Sequence, residues 1–324
     1  MEIARPAALA GVANIEVRLV GIRYAARDTH LFELARPGGE VLPAAEPGAH
    51  VDLHLPTGVF RQYSLTRCDP SPKTYTLGIK RDEAGRGGSR LIFDAFRVGQ
   101  LLTISAPCNN FPLVDQSEHV VLFAGGIGIT PIRSMVQRLT EQRRSFELHY
   151  SARSRDDMAF VDEFANASNI RLHCDNEHGG TFLDLAAVIA SAPKAAHLYC
   201  CGPAPMLAAF EGATSHLPRA QVHVEYFTPK EEKSLEGGYI VRLARSNREF
   251  AIPAGQSILH VLQGAGFDIP YSCEQGICGS CETKVLAGEP DHRDAILSDG
   301  DRAANKTMMI CCSGSKGGPL VLDL

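Results

Sequence analysis

No run of about twenty apolar residues occurs anywhere in the 324-residue sequence, so a membrane-spanning helix is not expected. Basic charge is not in excess either. Lys and Arg number 32 against 37 Asp and Glu, a formal net charge of −5, which leaves no cationic face for nucleic acid. The opening MEIARPAALAGVANIEV has no basic stretch followed by a continuous apolar one, so a secretory leader is not expected and the cytoplasm is the anticipated compartment, where thiols stay reduced or hold metals. The twelve histidines are scattered, and no Ser/His/Asp or acid–base constellation stands out. Any redox chemistry must then rest on bound cofactors.

Cysteine is what the sequence does contain, ten in all. Cys273, Cys278 and Cys281 fall at C-x₄-C-x₂-C spacing within SCEQGICGSCE, and Cys311-Cys312 follows thirty residues later. This is the plant-type [2Fe–2S] ligand pattern. Three thiolates can come from one short loop only if its backbone coils tightly, and Gly276, Gly279 and Ser280 give it that freedom. Cys278 and Cys281 alone would also suit a zinc site or a dithiol, but a zinc ribbon would lack its second CxxC and leave Cys273 unexplained. Neighbours on an extended segment point to opposite faces, so one of Cys311 and Cys312 is the fourth ligand, and spacing does not choose between them. Cys68, Cys108, Cys174, Cys200 and the spare terminal thiol are expected as small buried hydrophobes.

The patterning divides the chain into segments. Over residues 1–115, alternating runs such as IEVRLVGIRY, HVDLHL and TYTLGIKR, punctuated by Gly, Pro and Asp, predict an antiparallel β-barrel. Within it RQYSL puts Arg61 and Tyr63 on one face of a strand, a guanidinium for phosphate beside a ring for stacking. GRGGS then opens a helix, with Ser89 as the expected N-cap. Residues 116–228 alternate strand and helix and predict a parallel sheet. Its first turn, GGIGITP, resembles a dinucleotide loop without the third glycine, Thr130 being the expected N-cap and Pro131 the first helical residue. A second turn, CGPAPM, ends a later strand. Residues 229–237 are polar and charged, and the surrounding TPKEEKSLEG spans at most roughly 35 Å, which predicts a connection on which residues 238–324, the cysteine-bearing α+β segment, can swing within limits.

Taken together, RQYSL, GRGGS, GGIGITP, CGPAPM, EYF, CEQGICGSCE, GEPDHRD and MMICCS resemble the phthalate dioxygenase reductase family, which includes vanillate O-demethylase reductases, over nearly the whole chain. The resemblance implies an FMN-binding barrel, an NAD(H)-binding α/β domain and a β-grasp ferredoxin domain, in that order. It implies FMN, NADH and a [2Fe–2S] cluster, and a Rieske-type terminal oxygenase as partner, the chain acting as a monomer. By the same resemblance Arg61, Tyr63, Ser64, Lys80, Gly87, Gly88 and Ser89 hold the flavin, and Thr130, Cys201, Gly202 and Met206 line the nicotinamide path. Phe227 lies near the flavin, and Cys311 is the fourth cluster ligand. FAD in place of FMN is not excluded by the sequence. Arg153 and Arg155 stand where a 2′-phosphate could sit, yet Asp156 and Asp157 follow, and the resemblance favours NADH. A stand-alone flavin or ferric reductase, or a redox sensor, are the alternatives; the second has no recognisable DNA- or effector-binding segment.

Overall fold

A computed structural model describes residues 14–57, 59–164, 167–271 and 273–324. The first thirteen residues, which open the stretch read for a leader, lie outside it, as do residues 58, 165 and 166 and Ser272 of the cysteine loop. The chain divides into two compact units, residues 14–225 and Tyr226–Leu324.

The first unit begins with six strands, β1 (Asn14–Ala26), β2 (Thr29–Ala35), β3 (His50–His54), β4 (Phe60–Ser64), β5 (Thr74–Lys80) and β6 (Leu101–Ser105), with helix α1 (Gly88–Ala95) between the last two. They form one antiparallel sheet in the order β4-β3-β6-β1-β2-β5. Its two edge strands meet through Leu65 and Leu77, so the sheet curls into a barrel filled by residues such as Val17, Leu19, Val51, Leu65 and Leu77. Closure removes the exposed edges that an open sheet would leave.

The remainder of this unit is β7 (Val120–Gly125), α2 (Ile129–Glu141), β8 (Phe146–Ala152), α3 (Val161–Phe164), β9 (Ile170–Cys174), α4 (Leu185–Ser191), β10 (His197–Cys201), α5 (Ala204–Thr214) and β11 (Val222–Glu225). The strands are parallel in the order β11-β10-β7-β8-β9. Both faces are covered: Leu122 shares a core with Ile132 and Met135 of α2, while its neighbour Phe123 packs on Phe210 of α5 at 5.4 Å between ring centroids. The chain reverses its direction of winding between β7 and β10, and the crevice beyond their carboxyl ends is where open α/β sheets bind ligands.

Barrel and parallel sheet, read from the sequence as separate domains, fall in a single unit. Arg133 on α2 forks onto Glu163 and donates to the Thr66 carbonyl at 2.8 Å, Ser134 Oγ accepts from the Gly48 amide, and Arg138 pairs with Glu46. Cys68, Cys174 and Cys200 are buried as expected, whereas Cys108 is exposed, because it sits in the loop after β6 with its thiol turned toward Asn110.

The second unit contains β12 (Tyr239–Leu243), β13 (Arg248–Ile252), α6 (Ile258–Gly264), β14 (Glu282–Ala287), β15 (Pro290–Asp291), α7 (Asp299–Ala304), β16 (Thr307–Met309), β17 (Gly314–Ser315) and β18 (Leu320–Leu322). Five strands in the order β13-β12-β18-β14-β16 pack on α6 through Val241, Ile258, Leu262, Met308 and Leu320. Among the described residues no helix is long and apolar enough to cross a membrane. The stretch expected as a connection belongs in part to this unit: Ser234 is buried and its amide donates to the Cys312 carbonyl at 2.8 Å.

Candidate functional site

In the barrel, the strand and glycine motifs are brought together. Arg61 and Tyr63 lie on β4, and a Cβ placed on Gly88 would meet Arg61 Nε at 2.7 Å, so the guanidinium stem lies directly on the start of α1. Gly87, not Ser89, is the N-cap of that helix: it adopts φ 81°, which a glycine accepts without strain, and it offers no side chain to cap the helix. Ser89 sits one turn-position inside, its Oγ accepting from the Asp82 amide. By contrast α4, α6 and α7 are capped by Asp184, Ser257 and Ser298. The first amides of α1, with no side-chain cap and beside Arg61, therefore fit a phosphate. Tyr63 is half-buried against the barrel core, and burial raises its pKa far above the usual phenol value, so it stays neutral as a stacking surface should. Ser64 is buried at the end of β4, and Lys80 is exposed at the end of β5.

The nicotinamide motifs converge at the β7/β10 crevice. A Cβ on Gly128 would lie 2.2 Å from the Cys201 carbonyl oxygen, and one on Gly125 would lie 2.6 Å from Met206 Sδ, so GGIGITP and CGPAPM are in backbone contact. Helix α2 starts earlier than expected. Residues Gly126–Gly128 make a 3₁₀ turn, Gly128 is the N-cap, and Thr130, inside the helix, donates to the Ile127 carbonyl at 3.0 Å. A Cβ on Gly78 of β5 would lie 2.6 Å from Thr130 Cγ2, which places a barrel strand against this loop.

Behind Cys201 lies a group the sequence reading passed over. Glu225 was noticed only as part of EYF, for its aromatic neighbours; a carboxylate closing an apolar strand was the available signal. Part of the residue reaches the surface, but its carboxyl end is buried against the Cys201 thiol, and Oε2 has no hydrogen-bond partner. Burial raises its pKa from 4.5 to about 8, although the bond to Cys201 opposes this. The Cys201 thiol is pushed well up, first by burial and then by the Glu225 charge.

At the far side of the same sheet, Arg155 after β8 is forked by Glu177, with Nε–Oε1 at 2.8 Å, and Asp156 pairs with Arg27 at 2.9 Å. Arg153 is exposed.

In the second unit the four cysteines named as ligands are buried and face one another. The Cys273 thiol lies beside those of Cys278 and Cys311, and the Cys281 thiol lies beside that of Cys311. Four buried thiols gathered in this way fit a [2Fe–2S] cluster. Backbone amides already point at sulfur, Gln275 to Cys273 at 3.2 Å, Ile277 to Cys273 at 3.4 Å and Cys273 to Cys278 at 3.4 Å. Neighbouring thiols and burial hold Cys278 and Cys281 far above the usual thiol range, so the set cannot ionise together unless cations enter it. Cys311 and Cys312 lie in a turn after β16, not on an extended segment, and still diverge: Cys312 Sγ is turned toward the Met309 carbonyl at 3.7 Å and against Gly276. Phe227 is exposed, two residues past the boundary of the first unit.

Comparison with known proteins agrees with this division. Residues 122–212 match the oxidoreductase NAD-binding domain family, and residues 241–315 the 2Fe-2S iron-sulfur cluster binding domain family. The chain is 50% identical over 318 residues to the phenoxybenzoate dioxygenase subunit beta of Ectopseudomonas oleovorans, covering 98% of this chain and 99% of that one. It is 44% identical to the tetrachlorobenzoquinone reductase of Sphingobium chlorophenolicum, covering 97% and 99%. A solved structure of phthalate dioxygenase reductase, described as modular for electron transfer from pyridine nucleotides to [2Fe–2S], matches with a TM-score of 0.73 at 38% identity, covering 97% of this chain and 98% of that one.

Two outcomes are expected. Cys311→Ser should abolish normal cluster assembly while Cys312→Ala keeps full iron content and visible absorption; the reverse pattern would transfer the ligand role to Cys312. For Glu225, a folded-state pKa above the unfolded one means that the native state binds more protons between 4.5 and about 8, so stability falls as pH rises through that window. Glu225→Gln should thus melt above the native protein at about pH 8.5, with the gap closing toward about pH 5. A gap that does not change with pH would contradict a buried, proton-holding carboxyl.

Proposed function

Because the chain belongs to the phthalate dioxygenase reductase family, we propose that it is the reductase of an oxygenase system with a Rieske-type terminal component, to which it delivers the electrons of NADH one at a time. It is an oxidoreductase that uses a pyridine nucleotide, a flavin and a [2Fe–2S] cluster. The reading that it works as a cytoplasmic monomer, with FMN as its flavin, is part of the proposal. The observation that carries it is the contact of Gly78 in the barrel with Thr130 in the glycine loop after β7, which supports a flavin and a nicotinamide held side by side within one unit.

When bound, a flavin takes up an electron pair as hydride and releases single electrons, which no side chain of this protein can do. The residues supply position. Arg61 and the amides of Gly88 and Ser89 hold the phosphate, Tyr63 lies along the ring system with Ser64 and Lys80 beside it, and Gly87 keeps the helix start open. On the other side Thr130, Cys201, Gly202 and Met206 shape the slot for the nicotinamide, and the uncharged Cys201 and Glu225 keep anionic charge away from it. Phe227 is assigned to the flavin's neighbourhood. Cys273, Cys278, Cys281 and Cys311 hold the two irons, and the amides aimed at Cys273 and Cys278 stabilise their sulfur charge.

The nucleotide preference follows from the pairing at the sheet edge. Glu177 occupies the guanidinium fork of Arg155 and would repel a 2′-phosphate brought to it. The 44% identity to a quinone reductase gives a second reading some weight, in which a small acceptor replaces the oxygenase.

A protein ending at Pro229 should retain flavin and reduce ferricyanide with NADH, yet fail to drive the oxygenase; undiminished oxygenase turnover would take the cluster off the electron path, and undiminished reduction of a quinone would favour the second reading. Glu177→Gln should raise kcat/KM for NADPH several-fold, the modest effect expected of an exposed charge. An unchanged NADPH to NADH ratio would place the discrimination elsewhere.

A further inference from the structure

Helix α6 touches both pieces of backbone that present the cluster ligands. Ile258, Leu259 and Leu262 bury it in the core of the second unit, and the Ser257 hydroxyl caps it by accepting from the His260 amide at 3.3 Å. In its first turn the Leu259 amide donates to the Ile310 carbonyl at 3.1 Å, one residue before Cys311. From the same turn the His260 side chain reaches the cysteine loop, its Nε2 lying 2.9 Å from Glu274 Oε2. The helix thus holds each ligand-bearing segment at one point.

Glu274 is the residue on which the cysteine loop turns. It follows Cys273 directly and takes φ 53°, in the left-handed region that a residue with a Cβ enters only at a cost. Beyond it the chain folds back on Cys273. The Gln275 amide donates to Cys273 Sγ at 3.2 Å, the Gln275 side chain to the Cys273 carbonyl at 3.2 Å, and the Ile277 amide to the same sulfur at 3.4 Å. Gly276, also left-handed at φ 71°, has no Cβ to oppose its geometry, whereas Glu274 has one and is held by a partner outside the loop.

From these contacts we propose that His260 is a positioning residue for the cluster: by donating to Glu274 it holds the left-handed turn that aims the Gln275 and Ile277 amides at the Cys273 sulfur. The proposal rests on the loop holding the [2Fe–2S] cluster of the reductase function given above. Amide hydrogen bonds to a ligand sulfur stabilise the extra negative charge of the reduced state, so a loosened turn makes reduction harder. The same loosening opens the loop to solvent more often. Both side chains are partly exposed, so the pair adds little to global stability and its effect is confined to the loop.

The test uses the full-length holoprotein. His260→Ala should release iron to an excess of chelator about two- to fivefold faster, the range expected of an exposed charged contact. It should also move the cluster's midpoint potential to more negative values and alter the electron paramagnetic resonance spectrum of the reduced protein. Flavin content and ferricyanide reduction with NADH should not change. His260→Gln, whose side-chain amide can donate to the same carboxylate, should recover most of the iron retention and of the potential. Glu274→Ala, which keeps a Cβ and loses the partner, should be more impaired than Glu274→Gly, which adopts the turn unaided. Faster iron release with an unmoved potential would overturn the proposal by making the pair structural only. So would a His260→Gln protein that behaves as His260→Ala does, or Glu274→Ala and Glu274→Gly proteins that are equally impaired. An unaltered protein without the visible absorption of the cluster would instead count against the reductase function itself.

Discussion

Three of the candidate sites depend on main chain approaching another segment more closely than a side chain allows. Gly128 sits where a Cβ would be 2.2 Å from the Cys201 carbonyl oxygen, Gly276 where it would be 2.8 Å from the Asp294 Cα, and Gly88 where it would strike the Arg61 stem at 2.7 Å. The first two neighbours are backbone, which cannot swing aside; the third is a flexible side chain, which can. A methyl group at 128 or 276 would therefore have to move a strand end or the ligand loop itself. What the approach leaves is amides without a side-chain cap at α1 and amides aimed at the sulfurs of Cys273 and Cys278.

Charge is then distributed according to what each site holds. The barrel site offers a guanidinium and uncapped amides for an anion. The β7/β10 crevice keeps the acidic groups Cys201 and Glu225 protonated, because burial costs a carboxylate or thiolate more than its neighbours return. The cysteine loop is the opposite case, four thiols that tolerate one another only while protonated or while cations sit among them. Loading of the cluster and the final folding of this loop are consequently linked, and proton release accompanies metal entry.

How much of this could be read from the sequence varies with the kind of signal. Spacing was enough for the cysteine loop, since C-x₄-C-x₂-C leaves few other ways to place three thiols. Alternation was enough for barrel and parallel sheet, whose periods differ. Helix starts were each misplaced by two residues, at Gly87 and Gly128, because glycine caps a helix without any side-chain signature and Ser89 and Thr130 are the more conspicuous choices. Cys108 was taken for a buried thiol because no local feature distinguishes it from Cys68. Glu225 went unremarked, its importance arising from Cys201 on a neighbouring strand twenty-four residues away in sequence. The anchoring of Ser234 was hidden for the same reason: TPKEEKSLEG has the composition of a solvated connection, and the carbonyl that Ser234 meets lies about eighty residues further on, a reach for which local composition carries no signal.

That the barrel and the parallel sheet share one compact unit has a physical reason in the chemistry proposed. Hydride transfer requires the reacting atoms at about 3–3.5 Å with aligned orbitals, a tolerance that two bodies joined by a flexible connection cannot keep. The barrel and the parallel sheet are accordingly locked by Arg133 on Glu163 and Thr66, by Ser134 on Gly48, by Arg138 on Glu46 and by Arg27 on Asp156. Several of these contacts are exposed and individually weak, but together with the buried Gly78–Thr130 contact they oppose rotation of one half against the other. Onward transfer moves an electron without a nucleus and has no comparable need for bond-length registry, so its cluster can reside in a separately folded unit. Rigidity is found where an atom must be handed over.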